Sequence, residues 1–444
     1  MSMMIANWIA ATLGLAVPYA LAALGLILAE RAGVLCLTAE GLMLVGALAG
    51  IGCAVLLGAC QSFLNYLSLE AAFKPPPAAK VALQGTLRLW AGDMNFHISP
   101  PEDPKEIRRS LREALELIQR SNLDFVYLTP KIRARFYENP EEFERVRGSW
   151  LMVQQTLSSL NEPHPLLMMG AQYYDEKNGS VSLLHIDIPK ILTEVSRDEL
   201  KSSPAAFLNL VALRGGILII NQPLATPLAV PVDTALRYAS RDHSWRPMTR
   251  PGSEYPKDII AANNIYDGLQ AYSIPVSVWR DQYVLENPTK SLSDVETRLA
   301  QESARKQRRL VAMGGSDSRG RIIRATSFIA APERTPEALR RAILHGRVCV
   351  RSPSPCGVRV YADDQGGAAF GVGDALVAEH TVQFRWGDDE SGDLYRNGER
   401  LGTFEGTTTQ AASRGECHIY QLYLNNGYSG PIYVNCPFAA NVRP

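Results

Sequence analysis

The stretch TLRLWAGDMNFH (86–97), followed after a helical segment by DFVYLTPK (124–131), decides the fold. Both are apolar runs that end in polar residues, as buried strands of a parallel sheet do. Similar runs recur downstream, namely PLLMMGAQYY (165–174), VSLLHIDI (181–188), GGILIINQP (215–223), NIYDGLQAYS (264–273) and LVAMGGSDS (310–318). Helical patterns lie between some of them. Strands alternating with helices from 86 to 318 predict an α/β fold with a parallel barrel or open sheet.

The pattern changes after this repeated part. Thr335 followed by Pro336 is typical of a helix start, and the expected helix ends near His345 and Gly346. From Arg347 onward, short apolar runs alternate with turn residues, which favours an antiparallel β-sandwich over 347–444. The barrel is therefore assigned to 84–346, and the proline-rich segment 71–83 that precedes it is interpreted as a linker.

The first seventy residues have a different composition. Residues 1–29 and 41–69 carry no charged side chain. A bilayer core needs about 20 apolar helical residues, so each run is long enough to span it. We therefore expect a transmembrane helical hairpin over 1–70, with the lipid bilayer as partner of residues 1–69 and the bacterial inner membrane as the location. The side of the membrane that the soluble part occupies stays open, as does the oligomeric state.

The same segment resembles the first membrane segments of bacterial sugar and nucleoside ABC-transporter permeases. The matching residues are Ala22, Ala23, Leu24, Gly25, Glu30, Arg31, Gly33, Val34, Glu40, Gly41, Met43 and Leu44. The chain departs from that pattern at Cys36, Leu37 and Thr38. A permease needs many spans, so the resemblance implies a helical hairpin and not transport.

Over residues 84–444 the chain resembles the PHP (polymerase and histidinol phosphatase) superfamily, in particular its carbaryl-hydrolase-type metallohydrolases. The motifs that carry the resemblance end the strands at 92–97, 128–131, 170–172, 221–223 and 315–319. The resemblance implies a distorted (β/α) barrel whose strand ends hold metal ions that activate water. At those ligand positions this chain has Asn95, Lys131, Gln172, Gln222 and Arg319, and it keeps His97 and Asp317.

Three interpretations of this substituted site stay open. The barrel is purely structural, or it binds a small anion through Lys131 and Arg319, or it is a metal-dependent hydrolase with an altered ligand set around His97, His185 and Asp317. The third interpretation requires Zn, Mn or Mg; under the first two, no cofactor and no catalytic residue are expected. The main expectation is a membrane-anchored pseudo-metallohydrolase that acts as a binding or scaffolding domain. A net charge of zero, from 45 basic and 45 acidic residues, gives no indication of a nucleic-acid partner.

Cysteines provide a separate signal. Cys349, Cys356, Cys417 and Cys436 all lie in the last hundred residues, and none occurs between Cys60 and Cys349. Two disulfides, Cys349–Cys356 and Cys417–Cys436, and four buried thiols are equally compatible with this clustering.

We predict that the full-length protein fractionates with membranes and resists alkaline extraction, because the two uncharged runs insert into the bilayer. A version that begins at Lys80 is expected in the soluble fraction. Fractionation followed by immunoblotting checks this, and recovery of the full-length chain in the soluble fraction would contradict it.

Overall fold

The fold was analysed in a computed structural model that describes residues 83, 85–103, 107, 109–160, 165–226, 241–273, 289–318, 323–363, 369–387 and 389–438, with backbone alone at 289–294 and 296. The chain divides into two compact units, Met1–Lys74 and Pro75–Pro444, and all described residues belong to the second. The predicted hairpin over 1–70 lies outside them. Within the described ranges, no helix is both long and apolar enough to cross a bilayer.

The first part of the described chain supplies the barrel. Its strands are β1 (Arg88–Phe96), β2 (Phe125–Leu128), β3 (Lys131–Arg133), β4 (Leu166–Met169), β5 (Ala171–Asp175), β6 (Gly179–Leu184), β7 (Ile217–Asn221), β8 (Gly268–Ser273), β9 (Val311–Gly315) and β10 (Ser327–Ala331). Its helices are α1 (Leu111–Gln119), α2 (Pro140–Ser158), α3 (Ile188–Glu194), α4 (Arg197–Ser202), α5 (Ala206–Leu213), α6 (Arg246–Thr249), α7 (Lys257–Ile265), α8 (Thr289–Lys306) and α9 (Pro336–Leu344). The predicted α/β alternation is confirmed.

The strand pairings form a closed ring. β1 pairs with β2 and β2 with β4, all parallel, and β3 and β5 continue these strands beyond a short break. From β5 the ring runs through β6, β7 and β8 to β9, with β6 antiparallel to both its neighbours. A parallel bridge between Phe96 and Ser318 joins the last strand end to the first. The reversed strand makes this a distorted barrel.

Close packing at the start of the ring explains Gly92. A Cβ atom at Gly92 would lie 2.3 Å from the ring of Phe125, so only glycine lets β2 pack beside β1 here. Phe125 belongs to an apolar cluster that includes Met94, Tyr127, Ile219 and Met313 from the strands.

Helix α9 covers the end of the barrel at which the parallel strands begin. It starts as the sequence predicts, because the Thr335 side chain accepts a hydrogen bond from the Ala338 backbone and Pro336 follows the cap. Its apolar face, including Leu339 and Ile343, packs into the same cluster as the barrel interior. The helix ends at Leu344, and Gly346 with φ of 78° turns the chain into the next strand.

The β-rich C-terminal part contains strands β11 (Val348–Val350), β12 (Arg359–Ala362), β13 (Ala375–Leu376), β14 (Thr381–Arg385), β15 (Ser391–Arg396), β16 (Glu399–Glu405), β17 (Thr407–Ala411), β18 (His418–Leu424), β19 (Gly427–Ser429) and β20 (Ile432–Val434). A three-stranded sheet, β12-β14-β17, lies against a larger one. Their shared core includes Val382 and Phe384 from the first sheet and Leu422 and Val434 from the second. Two sheets packed on a shared core agree with the prediction of a sandwich, but β13 pairs parallel with β20, so the strands are not all antiparallel.

The larger sheet also passes through the predicted domain boundary at 346/347. β10 pairs antiparallel with β1 of the barrel and with β11, and β11 pairs with β19 of the sandwich. One eleven-stranded sheet therefore contains strands of both parts. Backbone hydrogen bonds, and not side-chain packing alone, connect the barrel to the sandwich.

Both predicted disulfides are present. Cys349 on β11 bonds to Cys356, with Cα atoms 5.7 Å apart, and Cys417 bonds to Cys436, with Cα atoms 4.3 Å apart. The second pair brackets β18 and β20, which are paired antiparallel from His418 to Val434. The alternative of four buried thiols is wrong.

We predict that alkylation of the purified protein under denaturing, non-reducing conditions modifies Cys36, Cys53 and Cys60 and leaves the four late cysteines unmodified, because they have no thiol. Reduction before alkylation should then expose all seven, and peptide mass spectrometry distinguishes the two patterns. Modification of Cys417 and Cys436 without reduction would contradict the pairing.

Candidate functional site

The residues singled out by the sequence lie mostly at one end of the barrel. The parallel strands place their carboxyl ends at this edge, which we call the mouth and where barrel enzymes carry their chemistry. Six of the predicted residues belong to these strand ends: Asn95, His97, Lys131, Gln172, Gln222 and Asp317. Arg319 lies outside the described residues.

A buried chain of ionisable groups occupies the mouth. The imidazole Nδ1 of His97 lies 2.5 Å from Glu102 Oε1, and its Nε2 lies 2.8 Å from Asp317 Oδ1. The exposed fractions of these side chains are 0% for His97 and 2% for each carboxylate. Burial alone would lower the pKa of His97, but the two carboxylates outweigh it and raise that pKa above 6.5. The two acids therefore favour the protonated imidazolium form of His97.

This contact decides what His97 can do. A protonated imidazole that hydrogen-bonds one carboxylate through Nδ1 and lies in an ion pair with another at Nε2 has no lone pair for a metal or for a substrate proton. The second oxygen of Asp317 accepts from Gln222 Nε2 at 3.4 Å. The two ligand types that the sequence keeps are thus bound to each other.

Neutral amides fill the neighbouring positions. Asn95 Oδ1 accepts from Thr129 Oγ1 at 2.7 Å, and Gln172 Nε2 donates to Ser180 Oγ at 3.1 Å. Asn95 Nδ2 and Gln172 Oε1 are buried and have no hydrogen-bond partner among the residues that the structure describes. A donor NH₂ repels a cation, and one amide oxygen supplies no negative charge.

A divalent metal does not fit this set. Catalytic zinc takes three protein ligands, and hard cations take several oxygens. In the described part of the chain, no group of three or more His, Cys, Asp or Glu side chains is arranged to hold a metal.

Three charged residues of the mouth were missed by the sequence analysis. Glu102 lies in the proline-rich loop PPED, and Arg109 precedes α1, where neither strand nor helix periodicity marks them. Arg109 Nη2 donates to the backbone oxygens of Ser318 at 2.6 Å and His97 at 3.0 Å, and burial lowers its pKa to about 10. These two hydrogen bonds stabilise the Phe96–Ser318 bridge that closes the ring.

Asp93 is the third. Its motif position was recognised, but its role was not: Oδ1 accepts from the Ser316 backbone at 2.8 Å, and Oδ2 accepts from the Ser316 hydroxyl. Burial raises the pKa of Asp93 to about 6, against the opposing effect of these bonds. This carboxyl connects β1 to the loop after β9.

Lys131 lies on the wall of a cavity of about 840 Å³ at the mouth. Its Nζ is 4.9 Å from the centre of the Tyr174 ring, a cation–π contact. The lining of this mouth cavity includes five basic and five acidic residues. The basic ones are Lys131, Arg133, Arg135, Arg145 and Lys177, and the acidic ones are Glu102, Asp103, Glu142, Asp175 and Glu176. Opposite charges are equal in number, so recognition here depends on local groups and not on a net field.

The expected role of His185 is wrong. It follows β6, whose residue Leu184 is paired with Ile217 at the start of β7, so His185 lies at the opposite end of the barrel from His97 and Asp317. The strand reversal at β6 is the reason. His185 Nε2 is hydrogen-bonded to the Tyr127 hydroxyl. The alternative ligand set of His97, His185 and Asp317 is not brought together.

No protein-family model and no curated protein matches the chain. A two-domain protein from Bacteroides vulgatus that contains a predicted PHP-like metal-dependent phosphoesterase is similar in structure, at 12% identity and a TM-score of 0.38 over 79% of this chain and 97% of that one. PsfC from Pseudomonas syringae is similar at 13% identity and a TM-score of 0.29 over 55% and 82%. Similarities this distant assign no residue role.

We predict opposite titrations for the two barrel histidines. His97 should take up its proton above pH 6.5, because of Glu102 and Asp317, whereas burial and then Arg340 lower the pKa of His185 to about 3. Protonation of His97 therefore stabilises the fold below pH 6.5 and this contribution disappears as pH rises through its raised pKa, while His185 favours unfolding as pH falls below 6.5.

NMR titration of ¹³C-labelled histidine checks this, with resonances assigned from His97→Gln and His185→Gln variants. A His97 resonance that titrates below pH 6.5 would contradict the charged arrangement at the mouth.

Proposed function

We propose that residues 84–346 are a PHP-type barrel that has lost metal-dependent hydrolysis and acts as a binding or scaffolding domain. Under this proposal the domain is held at a membrane through residues 1–69, and Lys131 with Arg319 binds a small anion at the mouth. The observation that supports it best is the burial of His97 between Glu102 and Asp317. His97 and Asp317, which would otherwise be available to hold a metal, are paired with each other.

The loss of hydrolysis is supported by charge. A metal site stabilises its cations with carboxylates, but Asn95 and Gln172 are neutral and Lys131 is cationic. Freeing Asp317 for a metal would leave the His97 imidazolium with one carboxylate fewer in a buried place. Removing one partner of a buried ion pair costs about 3–5 kcal/mol. The described geometry opposes metal entry.

The binding role is supported by the local arrangement around Lys131. Two arginines of the mouth cavity are neutralised by acids, since Arg135 pairs with Asp175 and Arg145 pairs with Glu142. Lys131 lies over the face of Tyr174, and its neighbour Arg133 on the same strand is exposed. An anion bound at this position would meet the positive charges of both side chains.

We predict that phosphate binds the full-length protein saturably and that Lys131→Ala weakens binding by about tenfold or more. One charge-assisted hydrogen bond contributes roughly 1.5–3 kcal/mol, and 1.4 kcal/mol is tenfold in affinity. Isothermal calorimetry with inorganic phosphate and with acetate measures it. Lys201→Ala, on the exposed side of α4, is the matched control and should bind as the unaltered protein does.

Elemental analysis of the same preparation separates the two halves of the proposal. A stoichiometric divalent metal with chelator-sensitive phosphoesterase turnover would overturn the loss of hydrolysis. Absence of saturable binding, or affinity unchanged in Lys131→Ala, would leave a purely structural barrel.

A further inference from the structure

A second cavity lies at the end of the barrel opposite the mouth. Its volume is about 660 Å³, and we call it the basal cavity. Its walls come from β4, the turn before β7, the segment after β6, and α9. Nothing in the proposed anion site at the mouth uses it.

Two guanidinium groups converge on the basal cavity. Arg340 on α9 lies over Gly215, where an added Cβ would be 2.6 Å from its Nη2, and Arg214 is the preceding residue. Arg340 Nε donates to the Gly215 carbonyl at 2.9 Å, and Arg214 Nη2 lies 2.5 Å from Glu194. Each group keeps further N–H donors that have no hydrogen-bond partner among the described residues.

His185 adds a neutral donor to the same cavity. Its Nε2 is hydrogen-bonded to the Tyr127 hydroxyl, and when that hydroxyl donates, the hydrogen of the neutral imidazole is on Nδ1. Among the described residues, the Tyr127 hydroxyl is the side-chain hydrogen-bond partner of His185, and the two rings are also in contact. Its backbone has φ of 54°, a left-handed conformation that is strained for a residue with a Cβ and that is common at ligand sites.

The acids of the basal cavity are already occupied or turned to solvent. Asp187 Oδ1 accepts from the Lys190 backbone as the cap of α3, and Oδ2 accepts from Gln154 Nε2 at 3.0 Å. The Glu337 side chain is 60% exposed and lies nearer to Arg341 (3.4 Å) than to Arg340 (3.9 Å), so it is shared between the two arginines.

The rest of the lining is apolar, from Leu167, Met168, Met169, Ile186 and Pro336. Guanidinium groups beside an apolar wall suit a ligand with one carboxylate and a short hydrocarbon part. Arginine matches the planar geometry of a carboxylate, and the flexible methionine side chain adapts to the shape of the hydrocarbon. We propose that the basal cavity binds a small aliphatic carboxylate, its acid group held by Arg214 and Arg340 with His185 Nδ1–H, and its chain against Met168 and Met169.

The test uses hexanoate and the full-length protein. Calorimetry should show saturable binding of hexanoate and none of hexan-1-ol, which lacks the charge. Arg340→Gln and Arg214→Gln should each weaken binding at least tenfold. Arg341→Gln, on the same helix but 68% exposed, and Lys131→Ala, at the mouth, should leave it unchanged.

The imidazole supplies a second measurement. Hexanoate should shift the NMR resonance of His185 and not that of His97, which places the ligand at the base of the barrel. Arg214 is half exposed, so its variant keeps the test valid if Arg340→Gln does not fold. Absence of saturable binding, or binding unaffected by both arginine variants, would overturn the proposal.

Discussion

The contact on which the mouth of the barrel depends is the imidazolium of His97 between Glu102 and Asp317. His97 directly follows β1 and Asp317 follows β9, so the 2.8 Å contact joins the first and last strands of the ring. Two further contacts join the same two strand ends: Asp93 accepts a hydrogen bond from Ser316, and Arg109 donates one to the carbonyl of Ser318. His97, whose protonated form the two acids favour, and Arg109 provide the positive charge at these strand ends.

Such an arrangement stabilises only as a complete set. Each buried ion loses hydration worth several kcal/mol, which is recovered when its partners are close and well oriented. The burial of Asp93 illustrates the cost, because four hydrogen bonds from neighbouring groups do not prevent its pKa from rising to about 6. A ligand that separated His97 from Asp317 would therefore also weaken the contact between the first and last strands of the ring.

The sequence predicted the parts of this fold that have a periodic or local signal. Apolar runs located the strands, the Thr335–Pro336 pair located α9, and the family motifs located Asn95, Gln172 and Asp317 at one edge. Strand direction has no such signal, which is why His185 was placed with the wrong end of the barrel. Glu102 was missed because it comes from a loop and meets His97 only after β1 and that loop fold together. The sequence also did not predict that one sheet runs from β1 through β10 and β11 to β19. The composition changes at 346/347, but the backbone pairing between distant parts of the chain continues across that boundary.

The Cys349–Cys356 disulfide lies where the continuous sheet passes from the barrel to the sandwich. β11 is only three residues long, yet it carries the hydrogen bonds between the barrel strand β10 and the sandwich strand β19. A strand this short adds few bonds of its own, so its position depends on what anchors it. Cys349 lies in its middle, is fully buried, and is bonded to Cys356 in the turn that leads into the sandwich core. The cross-link reduces the freedom of the chain at this connection, and loop-closure entropy favours the folded state accordingly. Movement of the sandwich against the barrel would have to break the β10–β11 pairing, so the two parts should respond to a ligand as one body.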